Sequence, residues 1–248
     1  MTLEQFFAEN REVAVAFSGG VDSAYLLYAA TRYAARAKAY YVSTAFQPEF
    51  ELEDARRLAA DVGADMQVLH VDVLMSGAVV ANPPDRCYHC KNTLFWQILR
   101  AAESDGFSLL LDGTNASDDA GDRPGMRALR ELSVRSPLRE CGLTKAEIRR
   151  LSKEAGLFTW DKPAYACLAT RIRTGEEITL QKLKQTEKAE GFLFGLGFRD
   201  FRVRMVGNTA KLELREADLP LLLENREKII TELRKDYDSV LLNLEVRK

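Results

Sequence analysis

Six residues that follow a short apolar run carry the first recognisable chemistry in the chain: Ser18-Gly19-Gly20-Val21-Asp22-Ser23. Two glycines let the backbone approach an anion closely. A helix starting here presents unpaired N–H groups and a partial positive charge, and the Ser18 and Ser23 hydroxyls add donors. The segment is neither GxxxxGK[ST] nor GxGxxG. A glycine turn capping a helix explains one or two of these residues, not all six after a buried strand. A second loop, Asp112-Gly113-Thr114-Asn115, follows a later apolar run, and backbone at Gly113 is placed to reach a ligand lying across the same edge. Asp118, Asp119 and Asp122 come next, as metal partners or as solvated acids.

The four cysteines are unequal. Cys87 and Cys90, in Cys-Tyr-His-Cys before a helix, can meet one metal ion or each other, although many such pairs are inert. Cys167 lies in the non-periodic segment Lys162-Pro-Ala-Tyr-Ala-Cys-Leu-Ala-Thr-Arg171, a suitable place for an exposed loop thiol. Cys141 precedes Gly142 and the N-cap candidate Thr144 and reads as a packing residue. Of the two histidines, His70 reads as strand packing, and His89 would compete with its flanking thiolates for the same ion. Arg202 and Arg204 alternate on one strand face, about 7 Å apart, which suits bidentate contact with a phosphate. From spacing alone, a pair of exposed edge-strand arginines is the commoner arrangement.

The elements that position these residues follow from hydrophobic period. Strands are predicted at 13–17, 39–43, 66–71 and 109–111, and helices after the SGG turn, where Leu26, Leu27, Ala30 and Tyr33 mark one face, and at 51–62 and 91–104. That βαβα order predicts an α/β, parallel, doubly wound sheet, whose ligands bind beyond the strands' carboxyl ends. From about 176 the pattern becomes α+β: a helix at 179–194, a hairpin turning at Gly207-Asn208, a helix at 219–233 and a strand at 240–246. The domains expected are 1–175 and 176–248. Long irregular stretches at 46–50, 76–88 and 162–176 exceed what packing requires and are candidates for function.

Composition bounds the function classes. The chain has 248 residues, with 35 basic against 37 acidic residues and a formal charge of −2. That balance exerts no global pull on nucleic acid. There is no run of about 20 apolar residues, and the start, MTLEQFFAENREVAVAF, is too polar for a signal peptide. The expectation is a cytoplasmic protein without a nucleic-acid or membrane partner, in which cysteines serve as thiols rather than disulfides.

SGGVDS is the signature of the PP-loop ATP pyrophosphatases, the adenine nucleotide alpha hydrolase-like fold. That resemblance implies that Ser18, Gly19, Gly20 and Ser23 hold the pyrophosphate of ATP, with Asp22 near Mg2+. Together with NPPDRCYHCKNTLF, LLLDGTNASDDAGDRPGMRAL, VRSPLRE and KPAYACLATRI, in that order, the chain resembles the LarE family. These are ATP-dependent sulfur transferases of nickel-pincer nucleotide biosynthesis. The resemblance implies adenylylation of the carboxylates of pyridinium-3,5-biscarboxylic acid mononucleotide and their conversion to thiocarboxylates.

It assigns sulfur chemistry to Cys87, Cys90 and Cys167 as ligands of a 4Fe-4S cluster, with sacrifice of Cys167 itself as the alternative. It also assigns the substrate phosphate to Arg202 and Arg204 and implies a homo-oligomer. Glu190 and Glu213 are weaker candidates for organising that site, and Lys91, Arg171 and Arg173 either neutralise the adenylate or are surface charges. Competing readings are a PP-loop tRNA thiolase, an amide-forming PP-loop synthetase, and a nucleotide-binding zinc protein without turnover.

Overall fold

The computed structural model describes residues 1–118 and 124–247, so Asp119 and Asp122 lie outside the described residues. The chain forms two compact units, Met1–Val73 with Asp85–Ala164, and Leu74–Pro84 with Tyr165–Lys248. Segment 74–84 and residues 165–175, which the sequence reading joined to the first domain, are in the second unit.

In the first unit, α1 (Leu3–Glu9), β1 (Glu12–Ala16), α2 (Val21–Tyr33), β2 (Arg36–Ser43), α3 (Glu49–Asp61) and β3 (Asp65–His70) follow in order. One short helix, α4 (Gly77–Val80), belongs to the second unit. The first resumes with α5 (Arg86–Ser104), β4 (Leu110–Leu111), α6 (Pro124–Glu131), α7 (Pro137–Glu140) and α8 (Lys145–Glu154). The four strands pair in the order β3-β2-β1-β4, all parallel. This is an α/β doubly wound sheet, and its period of two is read on both faces. Val13, Val15, Ala39 and Tyr41 pack with Phe6, Phe7, Leu26, Leu27 and Leu58. Ala14 and Tyr40 pack on the other side with Ile98, Ala102 and Phe107. Both faces of β1 are thus dry, which is why VAV reads as an unbroken apolar run.

Strand order reverses at β1, with β2 and β3 to one side and β4 to the other. The loops after β1 and β4 therefore leave adjacent strands at the crevice where such sheets bind ligands. Reciprocal capping boxes join Thr2 with Gln5 and the expected N-cap Thr144 with Glu147. In contrast to the predicted start near Lys91, α5 begins at Arg86 with Asp85 at its N-cap. Both Cys87 and Cys90 are therefore in its first turns rather than in a preceding loop. The first buried apolar residue of this helix is Ile98, so an apolar period cannot report its beginning.

The second unit contains α9 (Leu180–Gly195), β5 (Arg202–Val206), β6 (Thr209–Glu213), α10 (Leu219–Glu224), α11 (Arg226–Leu233) and β7 (Ser239–Leu242). β5 and β6 form the expected hairpin, with Gly207 at φ 59 in the turn. A positive φ at the first turn residue is the requirement that glycine meets there. β7 pairs parallel to β6, which demands a crossover, and α10 with α11 provide it. The single helix predicted at 219–233 is broken at Asn225, which ends α10, begins α11 and donates from Nδ2 to the Leu221 carbonyl. Among the described residues no helix is long and apolar enough to cross a membrane.

Asn82, fully buried and at φ 52, explains part of the long stretch before α5. Its Nδ2 donates to the carbonyls of Arg173 and Glu176, and its carbonyl accepts from Gly175 N–H at 2.8 Å. Ile178 N–H likewise reaches the Val80 carbonyl. The stretch 74–84 is a component of the second unit, not slack.

Candidate functional site

In the first unit, the turn after β1 is built by its own hydroxyls. Ser23 Oγ donates to the Gly20 carbonyl at 3.1 Å and accepts from Ser18 N–H at 3.2 Å, and the two hydroxyl oxygens are 3.0 Å apart. Gly19 is at φ +74, and a Cβ there would meet Ala55 and the Glu51 carbonyl of α3 at 3.4 Å. Gly20 is the N-cap of α2 and makes no side-chain cap, so the helix's first N–H groups keep their capacity for an anion. Ser18, Gly19, Gly20, Asp22 and Ser23 therefore form one structured turn at a helix N-terminus.

Gly113 stands directly against that turn. A Cβ there would lie 2.8 Å from Ser23 N, 3.1 Å from Ser23 Cα and 3.3 Å from Asp22 C. Its role in the structure is the close approach of two backbones. Asp112 is buried and accepts from the Thr114 and Ser136 hydroxyls, both at 2.5 Å. Asp118 accepts from Asn115 N–H. These two acids serve the loop that carries Gly113.

Asp22 has a partner that sequence reasoning missed. Lys145, the first residue of α8, places Nζ 2.6 Å from Asp22 Oδ2. The other oxygen, Oδ1, is buried and has no hydrogen-bond partner among the described residues. A lysine 123 positions away, just inside a capping box, gives no local signal of this contact.

Cys87 is exposed and Cys90 half-buried on α5 in the first unit, and Cys167 is half-buried in the second; none is in a disulfide. Among the described residues no group of three or more His, Cys, Asp or Glu side chains is gathered as a metal site. Three thiolates as a donor set suit iron or zinc. His89 pairs with Asp85 on its own helix. His70 ends β3 and is exposed, not packed. Cys141 packs against the apolar core, and burial pushes its thiol above the ordinary range, consistent with a packing role.

In the second unit the central side chain is Glu190. It is 1% exposed and accepts from Arg171 Nε at 2.8 Å and Nη2 at 2.9 Å, from the Tyr165 hydroxyl at 2.5 Å and from Val203 N–H at 2.9 Å. Arg171, equally buried, spends its Nη1 on the Ala166 carbonyl and the Thr170 hydroxyl. One carboxylate thus ties α9 and β5 to the 3-10 turn at Leu168–Arg171, whose N-cap is Cys167. Arg171 is held by protein groups in this structure, whereas Arg173 is exposed and the Lys91 stem packs at Gly125.

Arg202 and Arg204 share a face of β5, but their environments differ. Arg204 gives Nε to both oxygens of Glu213 at 2.8 Å and Nη1 to the Thr170 carbonyl at 2.6 Å. Arg202 is buried, donates to the Phe201 carbonyl and lies 3.9 Å from Asp200, which Arg247 Nη2 contacts at 3.0 Å. Burial, then the neighbouring Arg171 and Arg247, lowers the Arg202 pKa. Cationic guanidiniums thus crowd at Arg202, the electrostatic condition for receiving an anion. Arg247, Asp200 and Tyr165 complete this region and were not legible as local motifs.

Comparison with known proteins agrees with the geometry. The asparagine synthase family model matches residues 4–116, the segment that holds the phosphate turn and Gly113. An uncharacterised protein of Synechocystis sp. is 39% identical over 86% of this chain and 80% of its own length. An uncharacterised protein of Methanocaldococcus jannaschii is 31% identical over 96% and 91%. The pyridinium-3,5-bisthiocarboxylic acid mononucleotide synthase of Lactiplantibacillus plantarum is 31% identical over 94% of this chain and 85% of its own. With its PP-loop turn in place at the end of β1 and that synthase matched over most of both chains, the chain belongs to the LarE family.

Proposed function

We propose that the protein is an ATP-dependent sulfurtransferase that converts the carboxylates of pyridinium-3,5-biscarboxylic acid mononucleotide to thiocarboxylates for a nickel-pincer cofactor. The observation that carries this reading is the match to the synthase along nearly the whole chain; the phosphate turn and the buried arginines support it. A carboxylate is a poor electrophile because attack must expel oxide. Its oxygen attacks the α-phosphorus of ATP, the α–β bridge breaks, and pyrophosphate leaves, giving an acyl adenylate. The turn at Ser18–Ser23 and the α2 N-terminus receive the phosphates, with Gly113 holding the turn in register. Asp22, with one buried oxygen lacking a hydrogen bond among the described residues, fits Mg2+, which typically takes one or two carboxylates alongside phosphate oxygens. A sulfur nucleophile then attacks the acyl carbon and AMP leaves. Two rounds give the bis-thiocarboxylate. Arg202 and its neighbours bind the substrate's ribose phosphate, with Arg204 orienting Glu213 and the Thr170 loop until ligand arrives.

The sulfur is handled by Cys87, Cys90 and Cys167. These thiols would hold a 4Fe-4S cluster, and the chemistry it would supply is the carrying of an extra sulfide. The place of Cys167 as N-cap of the turn that ends in the Arg171–Glu190 pair favours a second reading in which its own thiolate attacks, forms a thioester and loses sulfur to leave dehydroalanine.

Anaerobically purified protein is expected to contain about four irons per chain and to release pyrophosphate only with the pyridinium dicarboxylate nucleotide. Cys167→Ala is expected to abolish sulfur transfer while retaining pyrophosphate release. Iron-free protein that transfers one sulfur and loses about 34 Da at Cys167 would establish the second reading. Stimulation by tRNA instead of the nucleotide would overturn the substrate assignment.

A further inference from the structure

Lys145 is fixed at its backbone and reaches the phosphate turn with its side chain. It opens α8 directly after the Thr144–Glu147 capping box, and its N–H donates to Ser117 Oγ at 3.0 Å. The side chain is about one-third exposed and ends on Asp22 Oδ2 at 2.6 Å. If this contact were only a strap between α8 and α2, the carboxylate should be satisfied by the protein. Instead Oδ1 is buried without a hydrogen bond among the described residues, a costly state for an ionised oxygen. The carboxylate is half-served, at the N-terminal turn that the ATP reading gives to phosphates.

We propose that Lys145 is a positioning residue that exchanges partners: its ammonium occupies Asp22 while the site lacks nucleotide and moves to the phosphate oxygens when a divalent-cation complex of a nucleoside triphosphate arrives. Asp22 then faces the incoming cation. One ion pair becomes two, no charge is stranded, and no bond is made or broken. The flexible four-carbon stem and three donors of lysine suit the movement. The inference rests on the ATP reading proposed above and adds to it a second partner for Lys145.

The test uses the full-length protein with Mn2+ as a paramagnetic probe and α,β-methylene ATP, which cannot release pyrophosphate. In Lys145→Met, Asp22 loses its resident cation, so Mn2+ alone is expected to bind about fivefold or more tightly, while the Mn2+ complex of the analogue binds about tenfold or more weakly, as loss of a charge-assisted hydrogen bond dictates. Lys145→Gln repeats both measurements should the first variant fold poorly. The opposed shifts are the signature, since a purely structural strap would weaken both or move neither. Unchanged or weakened Mn2+ binding in the two variants overturns the exchange while leaving the ATP reading intact. Wild-type protein that binds no triphosphate overturns both.

Discussion

Glu190→Ala is expected to destabilise the second unit by about 3–5 kcal/mol, the usual consequence of removing one member of a buried ion pair. Four donors converge on this carboxylate, and Arg171 would keep its charge in a site from which water is excluded. Glu190→Gln preserves the shape but not the charge, and should fall between wild type and alanine. Urea unfolding followed by tyrosine and tryptophan fluorescence gives the midpoints. A loss under about 1 kcal/mol for alanine would show that the pair is not the anchor described. The same variant is expected to lose sulfur transfer more than ATP-dependent pyrophosphate release. Its direct contacts are in the unit that carries Cys167, whereas the phosphate turn is supported by Gly113, α2 and α3.

The second large effect is expected at Gly113. An alanine there brings Cβ to 2.8 Å from Ser23 N, with further backbone atoms at 3.1 and 3.3 Å. Backbone cannot rotate out of the way as a side chain can, so either the loop after β4 or the first turn of α2 must move. A displacement of about 1 Å at a reacting group costs on the order of 10²-fold in rate. Gly113→Ala should therefore reduce pyrophosphate release about that much while leaving the far-ultraviolet circular dichroism spectrum near wild type. Gly191→Ala is the control, because a Cβ there meets nothing within 4 Å. A Gly113→Ala enzyme with wild-type kinetics would sink the close-approach account.

The parallel sheet and the phosphate turn were legible because their signals are local. An apolar run buried on both faces, followed by glycines and hydroxyls, leaves few alternatives. The start of α5 was hidden because the residues around Cys87 and Cys90 bury no apolar stripe, so the period appears only farther along. The asymmetry between Arg202 and Arg204 was hidden for another reason: alternation places both on one face, but Glu213 is reached only diagonally across the hairpin. Glu190 reads from sequence as a candidate organiser, yet its four donors come from two segments distant from it, 165–171 and β5. Lys145 and Arg247 depend on pairings that exist only once the chain has folded. Thr144 beside Lys145 was readable since an N-cap hydroxyl directly before a helix is a local signal.

The bonds of Asn82 to residues 173–176 set an order of events during synthesis. At ordinary elongation rates of about 5–20 residues per second, this asparagine leaves the ribosome several seconds or more before its acceptors exist. The second unit therefore cannot mature as a C-terminal fragment that starts at Tyr165, and the early segment waits, unmatched, while the intervening α5–α8 stretch is made. A nascent chain stalled after Ala164 should expose Gly77–Val80 to a protease, whereas release of the completed chain should protect it.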